Sequence, residues 1–189
     1  MSGKVVYEGT VVGEWFEEFA RSVKEVIEAC RMHFDSSFRA KENCGVYLSI
    51  MCRGVMLGTR LVGYHKEVND KTRATTYYDI AQNSVLILSI NPHLPRSTYL
   101  SSADLKEKNA SRGAIAVGDW IISIIGLGEF WDEAVATLVA VRQGVLDRSY
   151  VNTLLWNPGI KPTPDRALEY FKKGEKFLWK FDRKQKLKE

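Results

Sequence analysis

Residues 112–144 read RGAIAVGDWIISIIGLGEFWDEAVATLVAVRQG, and this stretch decides the fold. Residues 113–117 are short, apolar and β-tolerant. Gly118-Asp119 is a turn dipeptide, because Gly accepts positive φ and Asp can bond its own backbone. Residues 120–125 form a β-branched apolar run interrupted only by Ser123, which predicts a strand covered on both faces. Gly126 and Gly128 let the chain turn sharply. Asp132 and Glu133 predict a helix start, where carboxylates favour the positive end of the helix dipole. Ala134, Leu138 and Val141 follow at helical spacing, with Val135 and Val139 widening the stripe, and Gly144 suits a helix stop. The unit is strand, turn, strand, glycine loop, helix.

Upstream, a helix is predicted over residues 14–34. Phe16, Phe19, Ala20, Val23, Val26, Ile27 and Cys30 recur at three- and four-residue steps, and Glu17, Glu18, Lys24, Glu25 and Glu28 take the other face. Residues 4–8 suit a short strand or an extended arm. Residues 45–64 predict a β-hairpin turning at Arg53-Gly54. A second helix is expected over about residues 70–88, with Ala74, Tyr77, Tyr78, Ala81, Val85 and Leu88 on one side. Its end, SVLILSI, suits a helix or a strand equally. Pro92 and Pro95 stop whatever precedes them. Residues 97–111 read as a polar loop and residues 147–164 as irregular chain. Thr163 and Pro164 then open a last helix in N-cap and first-turn positions, with a disordered end from Arg183.

Two hairpins interleaved with helices predict an α/β (α+β) fold. The expected form is a three-layer α/β/α sandwich with a mainly antiparallel central sheet, profilin- or GAF-like, carrying a C-terminal helical extension. The domain division is 1–146 for the sandwich, 147–164 for an irregular connection and 165–189 for a basic amphipathic helix and tail.

Composition narrows the function classes. At 189 residues and 45% hydrophobic, the chain can bury a core as one domain with extensions. It has no apolar run long enough to span a membrane, and its N-terminal residues lack the apolar segment of a secretory signal. A cytoplasmic protein is expected. Net charge is +4, and residues 165–189 carry all of it, with nine Lys/Arg against five Asp/Glu. The folded part is therefore formally neutral, which argues against a nucleic-acid-binding face. Cys30, Cys44 and Cys52 show no CxxC spacing, and His33, His65 and His93 form no metal-binding pattern. No catalytic constellation and no metal site is indicated.

At this point the chain resembles the GlcG-like, haem-degrading-domain family. That family has a Gly-Gly-apolar strand, a turn, an apolar strand, then Ser-Gly and, six residues after the glycine, Asp opening a helix. Gly113-Ala114-Ile115 resembles its first strand and residues 121–125 its second. Gly126 and Asp132 keep the six-residue step, and Asp132-Glu133-Ala134-Val135-Ala136 is similar to its helix opening. Arg73-Ala74-Thr75 resembles a Lys-Ala-Thr segment, and the 46–62 hairpin sits where the family has its first strand pair. The likeness covers residues 15–145. Arg112, Ile125 and Arg73 stand where the family has Gly, Ser and Lys, in the region lining its ligand cleft.

The resemblance implies a homo-oligomer, a dimer or a multiple of dimers, with a small-molecule cleft. The candidate ligand-binding residues are Tyr64, His65, Arg73, Tyr77, Gly126 and Gly128. Tyr and His suit haem iron, Arg73 suits a carboxylate or propionate, and Gly126-Leu127-Gly128 ahead of a helix suits an anion. Each has a plain structural alternative: a loop side chain, an exposed helix arginine, a strand-to-helix turn. Three functions stay open at this level. They are a non-catalytic small-molecule-binding or assembly protein, a haem- or tetrapyrrole-binding or -degrading protein, and an interaction module acting through the basic C-terminal helix.

Overall fold

A computed structural model describes residues 9–31, 45–63, 71–99, 106, 108–155 and 166–187; for residues 9–12, 71–75, 98 and 129 the description is of the backbone alone. It is a mixed α/β structure around a four-stranded antiparallel sheet of order β2-β1-β4-β3. Strand β1 (Val46–Cys52) and strand β2 (Val55–Val62) form the first hairpin. Its turn residues Arg53 and Gly54 both take positive φ, 51° and 76°, the type I′ pattern that matches strand twist. Strand β3 (Ala114–Val117) and strand β4 (Trp120–Ile125) form the second, with Gly118 at φ 57°. The hairpins join through the central pair β1–β4, in register from Tyr47 opposite Ile125 to Cys52 opposite Trp120. Their tips are tied as well. The Arg53 backbone N–H donates to the Asp119 carbonyl at 2.8 Å, and Arg53 Nε donates to Asp119 Oδ2 at 2.8 Å.

Strand alternation sends side chains to opposite faces. Val46, Leu48, Ile50, Ile122 and Ile124 belong to the main core with helix α1 (Gly9–Cys30) and helix α3 (Glu129–Arg142). Tyr47 and Ile125 point the other way, onto Ala81, Tyr77 and Ile80 of helix α2 (Lys71–Ser89). Central β1 is buried throughout, hence its near-continuous apolar sequence. Edge strand β2 is mostly half-exposed.

Helix α1 buries the predicted face, Phe16 through Cys30. It begins before Gly13, where the expectation was residue 14, and its α-helical run reaches Cys30; residues 32–34 of the expected span lie outside the described residues. One internal glycine costs about 1 kcal/mol, too little to start or stop a helix held by such a face. SVLILSI is helical through Ser89, with Ile90 in the turn that follows: Ala81, Val85 and Leu88 are buried at four- and three-residue steps, so the helical period wins over β-propensity. Asn91 ends α2 by donating from its side chain to the Ile87 carbonyl at 2.7 Å.

Helix α3 starts at Glu129, ahead of the expected Asp132-Glu133. Every residue from Trp131 to Ala140 is buried, as befits a helix that is apolar nearly all round. It closes in a Schellman motif, with Gly144 N–H donating to the Val141 carbonyl and Val145 N–H to the Ala140 carbonyl, both at 3.0 Å. Residues 147–155, the described part of the stretch expected to be irregular, carry regular structure. A 3₁₀ turn, Arg148–Tyr150, runs into short helix α4 (Val151–Leu155).

Helix α5 (Arg166–Lys186) remains helical past Arg183, where disorder was expected. The Arg142–Asp182 ion pair at 3.0 Å and the Arg183 guanidinium over the Trp179 ring support that end. Ala167, Phe171 and Leu178 join the main core. Gly174 lies so close that a β-carbon there would meet Leu138 Cδ1 at 2.6 Å. The expected strand or arm at 4–8 and the Thr163-Pro164 cap lie outside the described residues.

The segment after α2 covers the free edge of β3. The Ala116 N–H donates to the Pro95 carbonyl at 2.8 Å, and Arg96 bridges to Ile115. Residues 97–99 form a 3₁₀ turn, where a loop was expected. Ser97 Oγ accepts from the Gly113 and Ala114 N–H groups at 3.0 and 3.1 Å. A side chain at 113 would press the Ile124 carbonyl, since a β-carbon would lie 2.4 Å from it. Arg96 itself is fully buried. Its Nε and Nη2 donate to Glu133 Oε2, and its Nη1 donates to the Leu155 carbonyl at 3.0 Å. Removing one member of a buried ion pair strands the other charge without water. Arg96→Met or Glu133→Leu alone should therefore lower unfolding free energy by about 3–5 kcal/mol. The double variant should recover much of that loss in urea denaturation; losses that simply add would show the pair is not coupled.

Candidate functional site

The sequence-predicted cleft residues gather in part. Tyr77, half-buried on α2, stacks on Tyr47 with ring centroids 6.2 Å apart. Tyr47 pairs with Ile125, so Tyr77 and Gly126 share one end of the sheet. Gly128 precedes α3 directly. Arg73 belongs to α2, one turn before Tyr77; its side chain lies outside the described residues, as do Tyr64 and His65. His93 is exposed beyond the end of α2.

The glycine loop at that end is tightly packed. Gly126 has φ 138°, and a β-carbon there would lie 3.3 Å from the Gly45 carbonyl. Leu127 is 1% exposed, and its N–H donates to Asp132 Oδ1 at 2.7 Å. The Leu127 amide is thus taken by an internal carboxylate, whose charge opposes an anionic ligand at this turn.

Beneath α2 runs a row of hydroxyls that the motif reading missed. Ser49 stands opposite Thr59 on one side and Ser123 on the other. Ser49 and Thr59 hydroxyls lie 2.7 Å apart. Ser123 is fully buried, and its Oγ makes no hydrogen bond among the described residues. The sequence did carry a signal, because Ser49 and Ser123 are the polar breaks in otherwise apolar strands.

A concavity with apolar walls lies elsewhere. A groove of about 460 Å³ lies where the chain leaves α3, within the usual size range of small-molecule sites. Pro95, Val117, Leu146 and Leu154 give it apolar walls, and Asp147 and Tyr150 line it as well. It lies beyond the C-terminal end of α3, whereas Gly126 and Gly128 precede the N-terminal end. The 14 residues of α3 separate the two places by about 20 Å. Asp147 is fixed by an Asx turn, its Oδ1 accepting from Ser149 N–H at 2.8 Å and Ser149 Oγ at 2.7 Å. These Ser149 bonds hold the Asp147 carboxyl below its usual range.

Several other ionisable groups are held in the interior. Glu133 is committed to Arg96, and Asp132 to Leu127. Burial pushes the Cys30 thiol up to about 12. Burial, followed by the Asp119 charge, raises Cys52. Among the described residues no group of three or more His, Cys, Asp or Glu could hold a metal ion, and no helix is long and apolar enough to cross a membrane. No known family model matches the chain, and neither any curated protein nor any solved structure is significantly similar to it.

At pH 8 a thiol of pKa about 12 is ionised at roughly one part in ten thousand. Cys30 should therefore resist a thiol reagent in the native protein and react fully in denaturant. Peptide mass spectrometry checks this; rapid native labelling of Cys30 would show that its site opens.

Proposed function

We propose that the chain is a non-catalytic small-molecule-binding or assembly protein. It is a homo-oligomer working in the cytoplasm, on a divergent GlcG-like scaffold. In this reading the sheet is the middle layer of a three-layer α/β/α sandwich of profilin or GAF kind. The order helix, hairpin, helix, hairpin, helix supports the scaffold, as do helices packed against both sheet faces.

The observation that carries the binding role is the 460 Å³ apolar groove. Its lining among the described residues holds neither cysteine nor histidine, and the buried Glu133 is committed to Arg96, the chain neighbour of Pro95. Assembly is supported by the edge position of β2, since sheet edges present unpaired backbone groups to other chains. Beside that edge Val55, Cys52 and Trp120 form one cross-strand row, with Trp15 stacked on Trp120 at 5.3 Å. Val55 and Trp15 are each about two-fifths exposed, at 40% and 44%.

Light scattering should give the mass of a dimer or a multiple of dimers, and an uncharged apolar fluorophore should bind saturably. Thr153→Trp, an exposed position lining the groove, should abolish that binding without lowering the melting temperature. Haem should give no saturable Soret spectrum. A one-to-one Soret band lost in His65→Ala would replace this reading with haem binding. A strict monomer that binds no fluorophore would overturn it.

A further inference from the structure

The lining of the groove says what charge its ligand carries. Its walls are apolar, and the charged residue among them is Asp147. Both Ser149 donors go to Asp147 Oδ1, which leaves Oδ2 without a hydrogen bond among the described residues. The adjacent cation does not neutralise it. Arg148 turns away, its Nε and Nη2 donating to the two Glu175 carboxylate oxygens and its guanidinium lying over the Phe171 ring. Tyr150, in the same 3₁₀ turn, also lines the groove and is 65% exposed, so its ring is open to a ligand. Its negative face attracts cations.

A carboxylate, an aromatic ring and apolar walls together match an ammonium group bearing an apolar substituent. An anion would meet uncompensated Asp147. A polyol would find few partners along such walls. On a chain of net charge +4, diffuse electrostatics do not gather cations, so a preference for them must be local. We infer that the groove binds a small apolar organic cation, an aryl- or alkylammonium, with its charge against Asp147 Oδ2 and Tyr150 and its apolar part against Val117, Leu146 and Leu154. The inference rests on the binding reading above and names the ligand class.

Calorimetric and NMR titrations of the full chain with three probes test it: benzyltrimethylammonium, its uncharged isostere neopentylbenzene, and 4-tert-butylbenzoate. The cation should saturate one site at least about tenfold more tightly than the isostere, and the benzoate should not bind. Asp147→Asn keeps an oxygen for the Ser149 N–H, so the turn stays capped. It should erase the preference for the cation while leaving neopentylbenzene binding and the melting temperature unchanged. Thr153→Trp should block both probes. Equal affinity for cation and isostere, or a preference that survives Asp147→Asn, would overturn the cation inference and leave the groove as a neutral apolar site. Binding that persists in Thr153→Trp would place the ligand elsewhere and overturn it too. If none of the three probes binds the native chain, the small-molecule reading itself falls.

Discussion

The buried Arg96–Glu133 pair is the constraint on which the architecture turns. Two charges at 1% and 0% side-chain exposure lose nearly all of their hydration. That loss is offset only where geometry is close and the remaining donors are satisfied. Both conditions hold, because the guanidinium also reaches the Leu155 carbonyl. The position of Arg96 is thereby tied to α3 through Glu133, to α4 through Leu155 and to β3 through the Ile115 bridge. Pro95 and Leu154, which wall the groove, are the chain neighbours of two of those anchors. Groove shape therefore depends on a pair outside its own lining.

Helix α3 is the second consequence. It is buried along nearly its whole length, and four elements do the burying: α1, α5, β3 and β4. Several of its buried polar side chains have internal partners. Thr137 Oγ1 donates to the Glu133 carbonyl at 2.8 Å, and Asp132 accepts from Leu127. The last helix shares this core and could not be removed without uncovering Leu138 and Cys30, which lie against Gly174. The six-residue step from Gly126 to Asp132 also acquires a cause. It is the length that lets the turn fold back so that Asp132 meets the amide of Leu127. A spacing that suggests a family can thus be read as the closure of one turn.

Local periodicity determined much of this protein from sequence alone. The Phe16-to-Cys30 stripe, the hairpin at Arg53-Gly54, the strands on either side of Gly118-Asp119 and the stop at Gly144 each depend on residues within a few positions of one another. Even the hydroxyl row under α2 left a trace in Ser49 and Ser123. Tertiary structure alone decided the rest. SVLILSI became helix because a sheet face lay beneath Ala81, Val85 and Leu88. Arg96, between a proline and a serine, has no pattern that announces burial, since its partner lies 37 positions away. The groove joins Pro95, Val117 and Leu154 only once β3, α3 and α4 are packed. Periodicity reports which face of an element is apolar; it holds no information on which distant polar group will meet another, and here that meeting shaped the site.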